Sequence, residues 1–383
     1  MKKILRLLSY LLVAVVAAVT TLTCCLLANR NDAGKLEKVE DLLLNYYIGE
    51  ADQEKMENAA ASAMVLALGD RWSYYMTPEQ YRSHQDTMSN SYVGVGITVQ
   101  ARQDGQGIDI VEVAAGGPAE EAGLLAGDVI IAVNDEDILG MQLSEVSALI
   151  RGEEGTSVTL TVSRAGEDKS FTITRRKFQT AVATYKMLEG KIGLITIENF
   201  DDRCADETIA AIEALKEQGA TALIFDVRNN PGGYKHELVK LLDYLLPEGP
   251  LFRTEDYWGK TQVDESDAEY LDMPMAVLMN LSSYSAAEFF AAALDEYDAA
   301  ITVGEQTFGK GYFQTTFPLS DGSAVNLSIG KYYTPNGASL AGVGLTPDVP
   351  VAVDEETAAK IAAGTLATEE DPQIIAAISA LKG

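Results

Sequence analysis

Apolar and polar positions along the chain change rhythm several times, and each change marks a different kind of element. Leu7 to Ala28 carries no charge, and a helix of ~22 residues rising 1.5 Å each is long enough for a hydrocarbon core of about 30 Å. Lys35 to about Ser91 reads as helical, with Leu36, Val39, Leu42, Leu43 and Tyr46 three or four apart and a second helix around Met56–Leu68, closed by Gly69-Asp70. Between Tyr92 and Arg175 short runs predict strands over Gly127–Asn134, Ser157–Ser163 and Ser170–Thr174, with short helices over Gly117–Leu124 and Ser144–Ile150. From Phe178 the rhythm becomes that of an α/β core. Lys191–Phe200, Ala222–Val227 and Met275–Met279 read as strands, the latter two buried on both faces. Helices are expected over Asp206–Gln218, Tyr234–Leu246 and Ala286–Leu294. Leu251–Met273 is acidic and turn-rich and reads as an irregular flap or a merely solvated connection. Tyr312–Leu319, Ala324–Ile329 and Tyr332-Tyr-Thr-Pro-Asn-Gly continue the strands, and an acidic, Ala-rich linker over 354–370 precedes a terminal helix beginning Asp371-Pro-Gln.

A chain of 383 residues exceeds one ordinary core and implies two or three domains. The expected organisation is a mixed α+β, multidomain α/β protein. Residues 1–30 form a membrane anchor or signal segment, 35–91 a helical cap packed on the larger parts, 92–175 a β-rich module, 178–352 the α/β core, and 353–383 an acidic linker with a C-terminal helix. Lys2, Lys3 and Arg6 before the apolar run, and acidic residues after it, predict a single membrane pass through residues 7–28 with the rest outside the cytoplasm. A cleaved signal peptide and a secreted chain are the alternative, although no A-x-A-like site is found. The net charge of −28 repels phosphate backbones and argues against nucleic acid as a partner. Cys24 and Cys25 fall in the apolar run and Cys204 stands alone, so no disulfide framework or zinc site can be read. With His84 and His236 isolated and no HExxH, no metal and no cofactor is implied. Homo-oligomerisation is left open by the sequence.

Candidate chemistry concentrates between Leu278 and Gln314, where a group of serines is followed by a lysine. A serine hydroxyl attacks a carbonyl only when a base takes its proton. Neither histidine lies among the turns around these serines; His236 sits beside Lys235, Glu237 and Lys240 and reads as a solvated helix face, so a Ser-His-Asp arrangement is disfavoured. Lys310 is the alternative. Its reference pKa of ~10.4 can fall by about 3–5 units on burial, and Phe308, Gly309, Gly311, Tyr312 and Phe313 surround it with apolar and small groups. The stretch Gly304-Glu-Gln-Thr-Phe-Gly309-Lys310 imitates a nucleotide-binding loop, but Gly311 stands where Ser or Thr must hold magnesium, and a strand follows where a helix is needed. Elsewhere, Asp226-Val-Arg-Asn-Asn-Pro-Gly-Gly233 joins a strand to a helix, and its consecutive glycines expose backbone N–H groups suited to an anion or oxyanion.

Together these stretches resemble the C-terminal processing peptidases, also called tail-specific serine proteases. Ser282-Ser-Tyr-Ser285-Ala-Ala-Glu288 is similar to the family's GSASASE pattern, Thr307-Phe-Gly-Lys310-Gly-Tyr-Phe-Gln314 to TxGKGxxQ, Asp226–Gly233 to DLRxNPGG, and Gly344-Leu-Thr-Pro-Asp-Val-Pro-Val351 to GxxPDxxV. The resemblance runs from about Leu36 to Val351 and takes in the terminal helix. It implies Ser285 as nucleophile, Lys310 as base, Gln314 as the residue orienting the lysine, and an oxyanion hole from Gly232 or Gly233 with the N–H of Ala286. Tyr284, where Ala or Thr is commoner, and Ala287, where a second serine stands, depart from the pattern. Residues 92–175 resemble a PDZ domain, a small β-sandwich or barrel ahead of the catalytic core. In such a site the N–H groups of Val95, Gly96 and Ile97, after Gly94, converge on a peptide's terminal carboxylate while its last residues add a strand to the sheet edge. The function implied is an extracytoplasmic serine endopeptidase that recognises polypeptides by their C-terminal tails and cuts them. An inactive PDZ scaffold binding C-termini, or a hydrolase of another acyl substrate on the same dyad, are the competing expectations.

Overall fold

The computed structural model describes residues 15–16, 19–20, 34–102 and 104–382. The expected membrane segment 7–28, apart from Val15, Val16, Val19 and Thr20, lies outside the described residues. Among the described residues no helix is long and apolar enough to cross a membrane. The chain divides into two compact units, Met1–Thr77 and Pro78–Gly383.

The first unit contains α1 (Lys35–Tyr46) and α2 (Gln53–Leu66), then a short strand β1 (Tyr74–Met76). Asp52 caps α2 by accepting from the Lys55 N–H at 3.1 Å, which satisfies one of the donors a helix start leaves open. The Gln53 amide reaches Glu40 at 2.8 Å and links the two helices. Neither helix buries a residue.

The second unit opens with α3 (Pro78–Met88) and β2 (Ser91–Gly94). A β-rich module follows: β3 (Ile97–Ala101), β4 (Ile108–Val113), α4 (Pro118–Ala122), β5 (Val129–Val133), β6 (Glu136–Asp137), α5 (Leu143–Ile150), β7 (Ser157–Arg164) and β8 (Glu167–Thr174). Its sheet runs β3-β4-β5-β7-β8 with β6 paired to β5, so β3 is an edge. Inward positions of these strands and of the two helices, among them Ile110, Ala119, Ile130, Val146 and Leu160, form a separate small core. β9 (Arg176–Gln179) returns antiparallel to β2, closing the module at its root.

The larger core is built on a second sheet. Its elements are β10 (Ala183–Leu188), β11 (Ile192–Ile197), α6 (Cys204–Glu217), β12 (Ala222–Asp226) and α7 (Lys235–Leu245). Then come β13 (Gly249–Asp256), β14 (Thr261–Ser266), β15 (Met275–Met279), α8 (Ala286–Glu296) and β16 (Ala300–Gly304). The sheet order is β10-β11-β12-β15-β16-β19, where β19 is Val349–Pro350. All its pairings are parallel except β10 with β11. Both faces are covered, which explains the unbroken apolar runs of these strands. On one face Phe225, Val277 and Ile195 pack with Ile212, Leu241 and Phe290 from α6, α7 and α8. On the other, Ile224, Leu278 and Val303 meet Ile374 and Ala377 of the C-terminal helix. β17 (Tyr312–Pro318) and β18 (Ala324–Tyr333) join β13 and β14 in an antiparallel sheet ordered β17-β18-β13-β14. The chain ends with α9 (Glu355–Ala362) and α10 (Pro372–Lys382).

Two expectations are corrected. Leu251–Met273 is no irregular flap, since most of it is the β13–β14 hairpin. Its charged residues lie on a hairpin wet on one side, and Asp256 holds the turn by accepting from the N–H groups of Trp258 and Lys260, each at 2.9 Å. The stretch 354–370 is no simple linker, because Asp354 caps α9 by accepting from Thr357 N–H at 2.8 Å.

Candidate active site

In an open parallel sheet, ligands gather beyond the C-terminal ends of the strands. Here the ends of the adjacent strands β12 and β15 lead into two loops, 227–234 and 280–285, that are laced together. The Asn229 N–H donates to Asn280 Oδ1 at 3.0 Å, and the Asn280 amide returns a bond to Asn229 Oδ1 at 3.0 Å. The buried Ser283 hydroxyl donates to Val227 O at 2.7 Å. Tyr284 N–H donates to Asn230 O at 3.2 Å.

The second loop delivers Ser285 to the start of α8 with φ 59° and ψ −125°, a region that residues with a Cβ avoid. The first loop supplies the floor. Gly232 has φ +87°, and a Cβ there would stand 2.7 Å from Ser285 Cβ and 2.8 Å from the nitrogen of Ala286, so glycine alone fits. The Gly232 N–H is engaged by Asn230 Oδ1 at 2.8 Å. Gly233 is clamped as closely, since a Cβ on it would lie 2.3 Å from the carbonyl carbon of Phe200. Tyr234 N–H and Phe200 N–H complete that clamp, donating to Phe200 O and Gly232 O respectively, both at 2.7 Å.

Lys310 belongs to a third loop, 305–311, which docks on the Ser285 loop. Phe308 N–H donates to Ser283 O at 3.2 Å, and its ring meets Tyr284 with centroids 5.7 Å apart. The tie between the two loops is Glu288. This residue is fully buried, and its Oε2 accepts from Ser285 N–H at 3.1 Å and from Lys310 N–H at 2.9 Å. Its Oε1 accepts from Thr307 Oγ1 and from Gly309 N–H, both at 2.6 Å. One carboxylate oxygen thus holds the main chain of the serine and of the lysine together. Burial pushes the Glu288 carboxyl above its ordinary range, and the four donors act against that shift. Gln314 sits in β17, where its amide donates to Tyr312 O at 3.0 Å and Ser328 Oγ at 3.1 Å.

Behind the floor lies a buried ion cluster. The Arg228 guanidinium donates through Nε and Nη2 to Asp226, at 2.9 and 2.6 Å, and through Nη1 to Asp371 and Gln373, both at 2.9 Å. It ties the loop after β12 to the start of α10.

His236 is not brought to the site. Its side chain is 66% exposed, 3.5 Å from Glu237, and stacks on Tyr234. The two departures from the family pattern are absorbed: Tyr284 packs on Phe308, and Ala287 is fully buried within α8. Among the described residues no group of three or more His, Cys, Asp or Glu could hold a metal ion. In the β-rich module, Gly96 has φ +79°, and the loop around it is pinned by Ala119 N–H on Val95 O at 2.8 Å and Ala114 N–H on Gly96 O at 3.0 Å. Ile97, the last of the four residues expected to bind a carboxylate, begins the edge strand β3.

Comparison with known proteins agrees with this architecture. Residues 191–351, which hold both laced loops and the lysine loop, match the model of peptidase family S41. The chain belongs to peptidase family S41. Residues 110–164 match the model of the PDZ domain, and Gly94, Val95, Gly96 and Ile97 precede that stretch. A probable CtpA-like serine protease of Staphylococcus aureus (strain N315) is 36% identical over 330 residues, covering 84% of this chain and 66% of the relative. The corresponding protein of Staphylococcus haemolyticus (strain JCSC1435) is 34% identical over 327 residues, covering 84% and 65%. The S41 chain therefore spans just under two thirds of the length of these relatives. A putative S41 protease from Bacteroides fragilis shares the fold, with a TM-score of 0.59 at 17% identity over 90% of this chain and 97% of that one.

Glu288, Tyr332 and the Arg228 cluster were not given roles by sequence reasoning. For Glu288 a signal existed, because Ser285-x-x-Glu288 is the spacing of a capping box at a helix start.

Proposed function

We propose that this S41 chain is a serine endopeptidase working with a Ser285–Lys310 dyad, and that it selects polypeptides by their C-terminal tails. Ser285 Oγ bonds to the scissile carbonyl carbon while its proton passes to neutral Lys310 Nζ and the carbonyl π pair moves onto oxygen. The N–H of Ala286 and that of a loop glycine face this oxyanion. Gly233 is the better donor of the two glycines, because the N–H of Gly232 is already spent on Asn230. Lys310 then returns the proton to the leaving amine as the C–N bond breaks, and water hydrolyses the acyl-serine. Gln314 orients the lysine from β17. Val95, Gly96 and Ile97 of the PDZ domain receive the tail's carboxylate, and the tail pairs with the edge of β3. Residues 7–28 anchor the chain with its catalytic part outside the cytoplasm.

The observation that carries this reading is the single Glu288 oxygen shared by the main chains of Ser285 and Lys310. A dyad needs its two members within hydrogen-bond reach in a geometry that does not wander, and that tie supports it. Incubating the full-length chain with a disordered test protein, beside Ser285→Ala and Lys310→Ala forms, and identifying products by mass spectrometry tests the reading. Cutting by the parent alone supports the dyad. Tail binding without cutting favours the scaffold, and ester turnover without proteolysis favours a different acyl substrate.

A further inference from the structure

Tyr332 stands near the end of β18, and its N–H donates to Gly311 O at 3.3 Å, next to Lys310. Its ring packs edge-on against Phe289 with centroids 4.4 Å apart, and Phe289 N–H donates to Ser285 O at 3.1 Å. A second ring, Phe252, lies 5.7 Å away. The side chain is therefore wedged between the first turn of α8 and the lysine loop. Tyr332 is only 2% exposed, and its hydroxyl makes no hydrogen bond of ordinary geometry among the described residues. The Ser285 hydroxyl is within reach of it. Buried donors without acceptors are uncommon because they lose water and gain nothing.

We propose that the Tyr332 phenol is a further catalytic group, a donor held in reserve for Ser285 Oγ. This rests on Ser285 being the nucleophile. In the resting protein Oγ is a neutral hydroxyl and draws the phenol weakly. As the serine proton leaves for Lys310, negative charge grows on Oγ before its bond to the carbonyl carbon is complete. The phenol O–H then finds a charged acceptor, and the bond is stronger in the transition state than in the ground state, which is the condition for accelerating the chemical step. The dry surroundings strengthen it further. Burial raises the pKa of the phenol above its ordinary value, so it keeps its proton and acts as a donor and not as a base.

Tyr332→Phe isolates the claim, because it keeps the ring on Phe289 and removes only the unpartnered oxygen. The full-length chain and this variant are treated with a fluorophosphonate probe, the labelled residue and labelling rate are followed by mass spectrometry, and turnover of a tail peptide and thermal unfolding are measured alongside. The expected result is a fall of about 10–100-fold in labelling rate and in kcat, somewhat less than the loss of a full oxyanion donor, with KM within about twofold and Tm unchanged or raised. An unchanged labelling rate at Ser285 would overturn the inference while leaving the nucleophile intact. A lowered Tm would overturn it too, since the hydroxyl would then be supporting the fold. A parent chain that is not labelled at Ser285 would remove the dyad reading and this one with it.

Discussion

Glu288 carries charge chemistry that the reaction itself does not use. Taking a carboxylate out of water costs several kcal/mol, and four hydrogen bonds within 3.1 Å offset that cost. The arrangement depends on an acceptor-only group. Glu288→Gln puts an NH2 against the N–H groups of Ser285 and Lys310 or, in the other flip, against that of Gly309, leaving donors facing donors. The expected outcome is a loss of about 2–3 kcal/mol in urea unfolding and at least about a hundredfold in peptide turnover, because the serine and lysine lose their common tether. A variant as stable and active as the parent would contradict the role. Asp201, beside the clamp on Gly233, makes a separate prediction. It is 6% exposed, and burial, then the charge of Asp202, raise its carboxyl to about 7. In the unfolded chain it titrates near ~4. Between these values the folded protein holds a proton that the unfolded chain has released, so stability declines as pH rises from about 4 to about 7 and stays reduced above that. Asp201→Asn removes the decline: it should gain about 1–3 kcal/mol in thermal unfolding at pH 8 and nothing at pH 4 or below. Ser285 and Lys310 were legible in the sequence as motif positions. The partners of Glu288 were not, because three of them lie about twenty residues away on another loop and become neighbours only through the pairing of β15 with β16.

The elements explain why a loop can hold such geometry. The loops after β12 and β15 emerge from neighbouring parallel strands whose both faces are packed, so their starting points cannot shift independently. The Arg228 cluster fixes the first loop from behind, with Asp226 below and Asp371 of the α10 start on the far side. Breaking a buried pair by removing one partner strands the rest. Arg228→Met should therefore cost about 3–5 kcal/mol in urea unfolding, and replacing Asp371 by Asn in the same chain should recover part of it. Full additivity of the two losses would mean that the groups do not form one cluster. Continuous apolar strands and amphipathic helices were readable because periodicity reports burial directly. The β13–β14 hairpin escaped because Thr261-Gln-Val-Asp-Glu-Ser266 has weak strand character and is mostly exposed; its pairing is set by β13, not by its own propensity. α9 escaped for a related reason, as an acidic Ala-rich stretch looks the same as a linker until Asp354 is seen to cap it.

At the scale of the molecule, the PDZ domain and the S41 region have different cores, one around Ile130 and Leu160 and one around Phe225 and Phe290. If the PDZ domain selects tails and the S41 region cuts them, the two can be separated by mutation. Gly96 is the place to do so. At φ +79° any side chain is strained, and a Cβ would come within 3.2 Å of the Phe178 ring and 3.4 Å of Ala114 Cβ, so the carboxylate loop has to move. Gly96→Val should leave hydrolysis of a short activated ester unchanged within about twofold, since Ser285, Lys310 and the floor of Gly232 and Gly233 are untouched. With a protein bearing a free, unstructured C-terminus, KM should rise about tenfold or more, the scale of losing one or two charge-assisted hydrogen bonds. Amidating the substrate's C-terminus should produce the same rise in the parent chain and little further change in the variant. That non-additivity is the deciding readout: if amidation and Gly96→Val each weaken capture and their effects multiply, the carboxylate is being read somewhere other than this loop.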